Sequence, residues 1–502
     1  MKNLSQFIKS LCKIPGWIWV VTACLASISA YLLASFLVYQ TGYPLDDAWI
    51  HQTYARNLGL YGEWSFLRGV PSAGSTSPFW TFLLALGYTF RVNHYYWAMF
   101  LGFGGLLVTS MSGQALYSEI STGKRPVWPW VAVLLAFEWH LVWASASGME
   151  TGIYGGLVLL FFFLIARQAK RNWLGIGLMI GGLVWLRPDA ITLLGPAIFV
   201  GILDQRENQA RWKSVGWVLA GFFICFLPYL VFNYALSGSL WPNTFYAKQA
   251  EYAVLYKTPL LTRLIKLAGL PLIGGGVLMV PGFLMVLFKG VLKRKPIQLA
   301  GCLWWMGYTA IYAMRLPVVY QHGRYLIPAM PVFFVLSLVG LHDLSEAIKI
   351  SEKLRWAVTT FWKISLAAVL MVFWGVGANA YAEDVAIIET EMVETAAWLN
   401  KNTPNDALIA VHDIGAIGYF ADRKLVDLAG LISPEVVPFI RDEQELANYM
   451  NTREVDYLVT FPGWYPLLTQ EVERVYESTG KFSPKAGGEN MTVYRWNSAD
   501  EK

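Results

Sequence analysis

The chain has 502 residues, 56% hydrophobic and only 15% charged, with 39 Lys and Arg against 34 Asp and Glu. A mean hydropathy of +0.43, with 23 Trp and 26 Tyr, excludes a large soluble enzyme and fits a polytopic membrane protein whose aromatic rings sit at the interfaces. Disorder and nucleic-acid binding drop out too, and Cys12, Cys24, Cys225 and Cys302 lack the paired spacing of a disulfide frame or zinc site.

Residues 1–380 hold 29 basic and 13 acidic residues, whereas 381–502 hold 10 and 21. A basic transmembrane domain over 1–380 and an acidic soluble α/β domain over 381–502 are therefore expected. Apolar runs of bilayer length, about 20 residues, fall near 17–39, 94–117, 127–146, 151–166, 215–236, 268–288, 297–314, 326–341 and 357–380. Residues 174–203 add two more, separated by a tight turn at Arg187-Pro188-Asp189. The expected fold is a polytopic α-helical membrane protein with about eleven spans.

The further apolar run at 78–90 decides the topology. If it does not cross, the loops carrying Lys124-Arg125, Arg167/Lys170/Arg171, Arg206/Arg211/Lys213, Lys289/Lys293/Arg294/Lys295 and Lys349/Lys353/Arg355 share the side of Lys2, Lys9 and Lys13. All are then cytoplasmic, as the positive-inside bias requires. Residues 78–90 therefore read as an interfacial or re-entrant helix in a first extracytoplasmic loop, 40–93. The first span lacks a small-residue cleavage site and reads as an anchor.

This topology leaves Asp46, Asp47, Glu63, Glu150, Asp189 and Glu251 as the outward carboxylates of the first domain. Adjacent carboxylates repel unless a metal, a cation or a shared proton compensates. Asp46-Asp47 thus invites a functional explanation, with helix capping as the plain alternative. In YPLDDAWIHQTYARNL, Ala48, Ile50, Tyr54, Ala55 and Leu58 fall on one side of a short amphipathic helix resting on the membrane surface.

Among outward cations, Lys257, Arg263 and Lys266 flank a span and read as headgroup anchors. Arg187 in WLRPDA and Arg324 in QHGRYLIP sit in rigid segments suited to holding an anion. His51 and His322 are either titrating or metal-binding groups or satisfied interfacial side chains. Glu138 and His140, in AFEWHLVW, share a span without sharing a face, so Glu138 is expected to face a polar cavity or a neighbouring helix.

The tail alternates a helical period over 385–400 with strand-like runs at 407–411, 424–428 and 457–460, the pattern of a small α/β layer domain. Its HDIGAIGYF lacks Gly-x-Gly-x-x-Gly spacing, which argues against a nucleotide site. Asp413 then reads as a turn or docking residue. Trp464 and Tyr465 offer rings for a lid or an acceptor platform.

Taken together, DDAWIHQTYARNL, GVPSAGSTSPFWTFLLAL, SGMET, WLRPDA, PNTFYAK, HGRYLIPAMP and, in the tail, HDIGAIGYF and LVDLAGLISPE resemble, in that order, the GT-C class of membrane glycosyltransferases that use polyprenyl-phosphate sugars. The likeness is greatest to the terminal arabinofuranosyltransferase branch. Gln321-His322-Gly323 departs from the small residues that relatives carry before the arginine, giving a bulkier wall.

The resemblance implies inverting transfer of a sugar from a polyprenyl-phosphate donor to a glycan or lipid acceptor outside the membrane. Asp46 or Asp47 would be the base, with Asp46 preferred, and the other would position the acceptor or a divalent cation. Arg187, Lys248 and Arg324 would hold phosphate and Arg56 would organise the first loop. Glu150, Asp189, His322 and Tyr325 complete the implied substrate-binding set. No metal ligand set is defined. The competing readings are a lipid or saccharide transporter or flippase without bond chemistry, and a lipid-derived phosphoethanolamine-type transferase resting on His412-Asp413.

Overall fold

The computed structural model describes residues 15–122, 126, 128–167, 171–203, 211–348, 350–470 and 472–496. Lys2, Lys9, Lys13, Lys124, Arg125, Lys170, Arg206 and Lys349, expected to mark the cytoplasmic side, lie outside the described residues, as do Cys12, Asp204 and Glu207.

The first helix, α1 (Gly16–Val38), has 23 residues and no charged side chain. At 1.5 Å per residue it is about 34 Å long, enough for a hydrocarbon core. Among the described residues five further helices are likewise long and apolar enough to cross a membrane: His94–Ile120, Trp212–Ser237, Gly275–Leu292, Gln321–Ala347 and Glu352–Asn402. Thr151–Ala166, Trp173–Val184 and Pro188–Leu203 are shorter apolar helices. The chain is a multi-pass helical membrane protein.

After α1 come α2 (Asp46–Tyr61), α3 (Pro78–Thr89), α4 (His94–Ile120), α5 (Trp130–Ala136), α6 (Trp139–Ala146), α7 (Thr151–Ala166), α8 (Trp173–Val184) and α9 (Leu194–Leu203). The membrane part continues with α10 (Arg211–Ser237), α11 (Asn243–Glu251), α12 (Leu260–Gly269), α13 (Val280–Leu292), α14 (Pro296–Arg315), α15 (Met330–Ala347) and α16 (Glu352–Ile388). Small residues let neighbours touch, since a Cβ on Gly177 of α8 would lie 2.1 Å from the Val218 carbonyl of α10.

Two expectations need correction. Helix α2 is no one-sided surface helix: Ala48 through Ala55 are all buried, because α3 covers one flank and the C-terminal domain another. The run at 127–146 is not one helix either. It breaks at Phe137 and Glu138, where Glu138 takes extended backbone and its carboxylate accepts from Leu141 N at 3.1 Å. Released from helical geometry, Glu138 Oε1 lies 2.8 Å from His140 Nδ1, a contact that two residues on one unbroken helix cannot make. Helix α3, with 12 residues, is about 18 Å long, too short to cross the core.

Helix α16 continues through a π turn, Glu389–Val393, into α17 (Glu394–Asn402), so residue 380 falls inside a continuous rod. Beyond it lie β1 (Leu408–Val411), α18 (Ile414–Phe420), β2 (Lys424–Asp427), α19 (Glu443–Thr452), β3 (Tyr457–Thr460), β4 (Glu473–Glu477), α20 (Phe482–Lys485) and β5 (Thr492–Arg495). The sheet order is β2-β1-β3-β5-β4, with β2, β1 and β3 parallel and β5 antiparallel to both β3 and β4. One apolar cluster runs from α1 to Ile409, Val411 and Ile414, while a second, with Leu446, Met450 and Leu458, belongs to the C-terminal domain alone.

Candidate active site

A cavity of about 410 Å³ opens where α2, α11, the α8–α9 turn and the loop before α15 meet. Seven residues of the implied catalytic and substrate-binding set line it, Asp47, Glu150, Arg187, Asp189, Lys248, Arg324 and Tyr325, together with His51. Trp241, Phe245, Ile311 and Leu316 give it an apolar side.

Asp47 is in the first turn of α2, yet neither aspartate caps that helix; its N-cap is Leu45, with no side-chain cap bond. Instead Asp47 Oδ2 accepts from Arg324 Nη1 at 2.6 Å and Lys248 Nζ at 3.3 Å. Arg324 also donates through Nη2 to the Tyr325 hydroxyl at 3.0 Å, while its Nε is buried without a partner. Burial alone would raise the Asp47 pKa, but Arg324 and Lys248 hold the carboxyl well below the usual carboxylate range. Two cations against one carboxylate leave this cluster formally +1.

The opposite wall is built differently. Arg187 Nη1 donates to Glu150 Oε1 at 3.0 Å, and its Nε and Nη2 lie 3.2 and 3.1 Å from Asp189 Oδ2. That oxygen also accepts from the Tyr308 and Tyr312 hydroxyls, each at 2.6 Å. The second Glu150 oxygen is 3.9 Å from His51 Nε2. His51 Nδ1 is satisfied by Thr81 and Ser75 at 3.1 and 3.3 Å, and burial pushes its pKa down, so the ring is neutral. Two carboxylates around one guanidinium make this cluster formally −1.

Asp46 turns away from the cavity. Its carboxylate accepts from Gly415 N at 2.7 Å and Ala416 N at 2.8 Å, capping α18. Only glycine permits that approach, since a Cβ on Gly415 would sit 2.1 Å from the Asp46 carbonyl oxygen. Asp413 occupies the N-cap position of α18 but makes no cap bond of its own. Burial, reinforced by Asp413, pushes Asp46 up to about 8. Burial likewise pushes Asp413 up to about 6, against the opposing pull of His412.

Two more residues of the implied set lie outside the cavity lining. Arg56 Nη1 donates to the Tyr419 carbonyl at 2.9 Å, its guanidinium 4.4 Å from the Tyr419 ring centroid, so it braces α2 against α18. His322 Nε2 meets Asp384 Oδ2 at 2.7 Å, and Trp143 Nε1 donates to the same oxygen at 2.9 Å. Among the described residues no three His, Cys, Asp or Glu side chains gather as a metal-binding group. With two cations already on Asp47, the donor set does not fit a resident divalent ion.

A family model described as a domain of unknown function (DUF8728) matches residues 379–494, and no curated protein sequence matches the chain. Among solved structures, ArnT from Cupriavidus metallidurans bound to undecaprenyl phosphate is similar over 95% of this chain and 97% of its own, at 11% identity and a TM-score of 0.56. The apo oligosaccharyltransferase of Archaeoglobus fulgidus is similar over 97% of this chain and 75% of its own, at 13% identity and a TM-score of 0.61. The chain has the GT-C fold.

Within this fold, Tyr308 and Tyr312, whose hydroxyls hold Asp189, are candidates that the sequence reading passed over. Their signal was available: two tyrosines four apart share one face of α14, opposite the Asp189 turn. Thr244, whose buried hydroxyl lacks a partner at the cavity wall, carries no such sequence signal.

Proposed function

We propose that the chain is an inverting glycosyltransferase that moves a sugar from a polyprenyl-phosphate donor to a glycan or lipid acceptor on the outer side of the membrane. The observation that carries this reading is the net cationic cluster of Asp47, Lys248 and Arg324 on the wall of a largely apolar cavity. A lipid phosphate needs that pairing of charge and grease. A second groove of about 330 Å³, lined by Phe199, Leu303 and Trp304, shares Thr192 and Ile311 with the cavity and suits the isoprenoid chain.

In this reading Asp47, rather than Asp46, is the base, because it lines the cavity while both Asp46 oxygens are engaged at α18. The acceptor hydroxyl attacks the anomeric carbon and its proton passes to Asp47. The anomeric C–O bond breaks with its electron pair going to the phosphate, whose charge Lys248 and Arg324 stabilise. Without donor, those cations make Asp47 a weak base. A bound phosphate draws them away and raises its basicity, coupling base strength to donor occupancy.

Eleven spans with a cytoplasmic N-terminus fit the same reading. Thr122 Oγ1 and Lys289 Nζ both reach Asp343, at 3.0 and 3.2 Å, gathering the C-terminal ends of α4, α13 and α15 at one face. The cavity adjoins the opposite, N-terminal end of α15, which supports an outward site. The ordered sequence motifs support the arabinofuranosyltransferase branch.

Transfer from polyprenyl-phosphate sugars by the protein in proteoliposomes tests the proposal. Sugar release to an acceptor that disappears in Asp47→Asn is expected. Translocation of the lipid with every bond intact would replace it with the flippase reading.

A further inference from the structure

We infer that the junction between the end of α11 and the C-terminal domain, where Glu251, His412, Trp464 and Tyr320 gather, binds a neutral sugar ring of the acceptor. This deepens the transferase reading and rests on it.

Glu251 ends α11, three residues after Lys248 and therefore on the same face of the helix. Its carboxylate lies 3.5 Å from His412 Nε2, and Arg441 Nε donates to its backbone carbonyl at 2.8 Å, fixing the junction. His412 Nδ1 is 2.6 Å from the Tyr465 hydroxyl, and its ring meets Trp464 edge-on at 4.9 Å. On the other side of Glu251, Tyr252 packs against Tyr320 with centroids 5.8 Å apart.

Two of these rings are open. Trp464 is 48% exposed and Tyr320 42%. Beyond Val376, Trp464 and Leu467 are the only exposed large apolar side chains among the described residues. Trp464 therefore departs from a domain that otherwise covers its rings, and it does so beside an imidazole–carboxylate pair. The neighbouring Asp413 carboxylate is left without a cap bond because Asp46 caps α18 in its place.

An indole face next to hydroxyl-binding acids matches a pyranose or furanose, whose C–H face is apolar and whose rim is a row of hydroxyls. A nucleotide or phosphorylated ligand fits poorly, because Glu251, Asp413 and Asp427 surround His412 with negative charge. An acceptor held here would present its hydroxyl toward Lys248 and the Asp47 cavity.

Saturation-transfer NMR on the full chain in nanodiscs, with methyl glycosides of glucose, galactose, mannose and arabinose as probes, tests this junction directly. At least one glycoside is expected to give a signal. That signal should fall about fivefold in Trp464→Ala and in Glu251→Gln, and return in Trp464→Phe, which keeps an aromatic face. Undecaprenyl phosphate binding to the same nanodiscs reports the donor site separately. Glycoside binding without lipid-phosphate binding would overturn the donor reading and leave the sugar site standing. No signal from any glycoside, or equal signals from wild type and both loss variants, would overturn the sugar site.

Discussion

Arg187 and Arg324 line the same cavity, yet Arg187 is closed in by Glu150 and Asp189 while Arg324 shares a single carboxylate with Lys248. The first cluster has no charge to offer an incoming anion, and its tyrosine hydroxyls complete it. The second has an unmatched positive charge and an unpartnered Nε. A basic residue on a cavity wall is therefore not by itself a phosphate ligand; the balance of its neighbours decides. In the proposed reading Arg187 would hold the shape of the wall and Arg324 would be the one left for a ligand.

The largest test of that contrast is Asp47→Asn. Loss of a general base should lower turnover about 10²- to 10⁴-fold, measured as sugar transfer in proteoliposomes. Next is Arg187→Gln, which strands two carboxylates in the closed cluster. It should destabilise the protein by roughly 3–5 kcal/mol, seen as a lower unfolding temperature, as expected on removing one partner of a buried ion pair. Arg324→Gln should do the reverse, leaving the unfolding temperature in place while weakening donor affinity by roughly 1.5–3 kcal/mol, about 10- to 100-fold. If Arg187→Gln proved stable and Arg324→Gln unfolded, the contrast would be inverted.

Much of this site is legible in the sequence, because sorting the few outward charges by side selects Asp47, Glu150, Arg187, Asp189, Lys248 and Arg324, all of which line one cavity. The short strands β1 to β3 are legible too, as compact runs of β-branched and apolar residues. Strands β4 and β5 are not: Glu473-Arg474-Val475-Tyr476-Glu477 is a polar edge strand with a register shift, which weakens its period. The task of Asp46 is hidden because it depends on Gly415, 369 residues away in the chain. The Glu138–His140 contact is hidden because a helical period cannot reveal where a span breaks.

The smallest effect concerns Asp46. Replacing a cap costs about 1 kcal/mol, so Asp46→Ala should loosen the C-terminal domain slightly, read as faster amide exchange over residues 413–420. Burial raises the Asp46 and Asp413 pKa values to about 8 and 6, above the unfolded carboxylate value, so the folded state holds protons that the unfolded state has released. Docking stability from this pair is thus complete below the unfolded carboxylate value and is lost progressively as pH rises from about 4 to about 8. Asp413→Asn should flatten that slope.

The central claim is that Asp47 and the donor phosphate compete for the same two cations. Equilibrium binding of undecaprenyl phosphate to the wild type and to Asp47→Asn in nanodiscs tests it most directly. Removing the competing carboxylate should tighten binding about fivefold, on the order of 1 kcal/mol for a partly solvated charge pair, even as transfer is lost. Weaker or unchanged lipid-phosphate affinity in Asp47→Asn would contradict it.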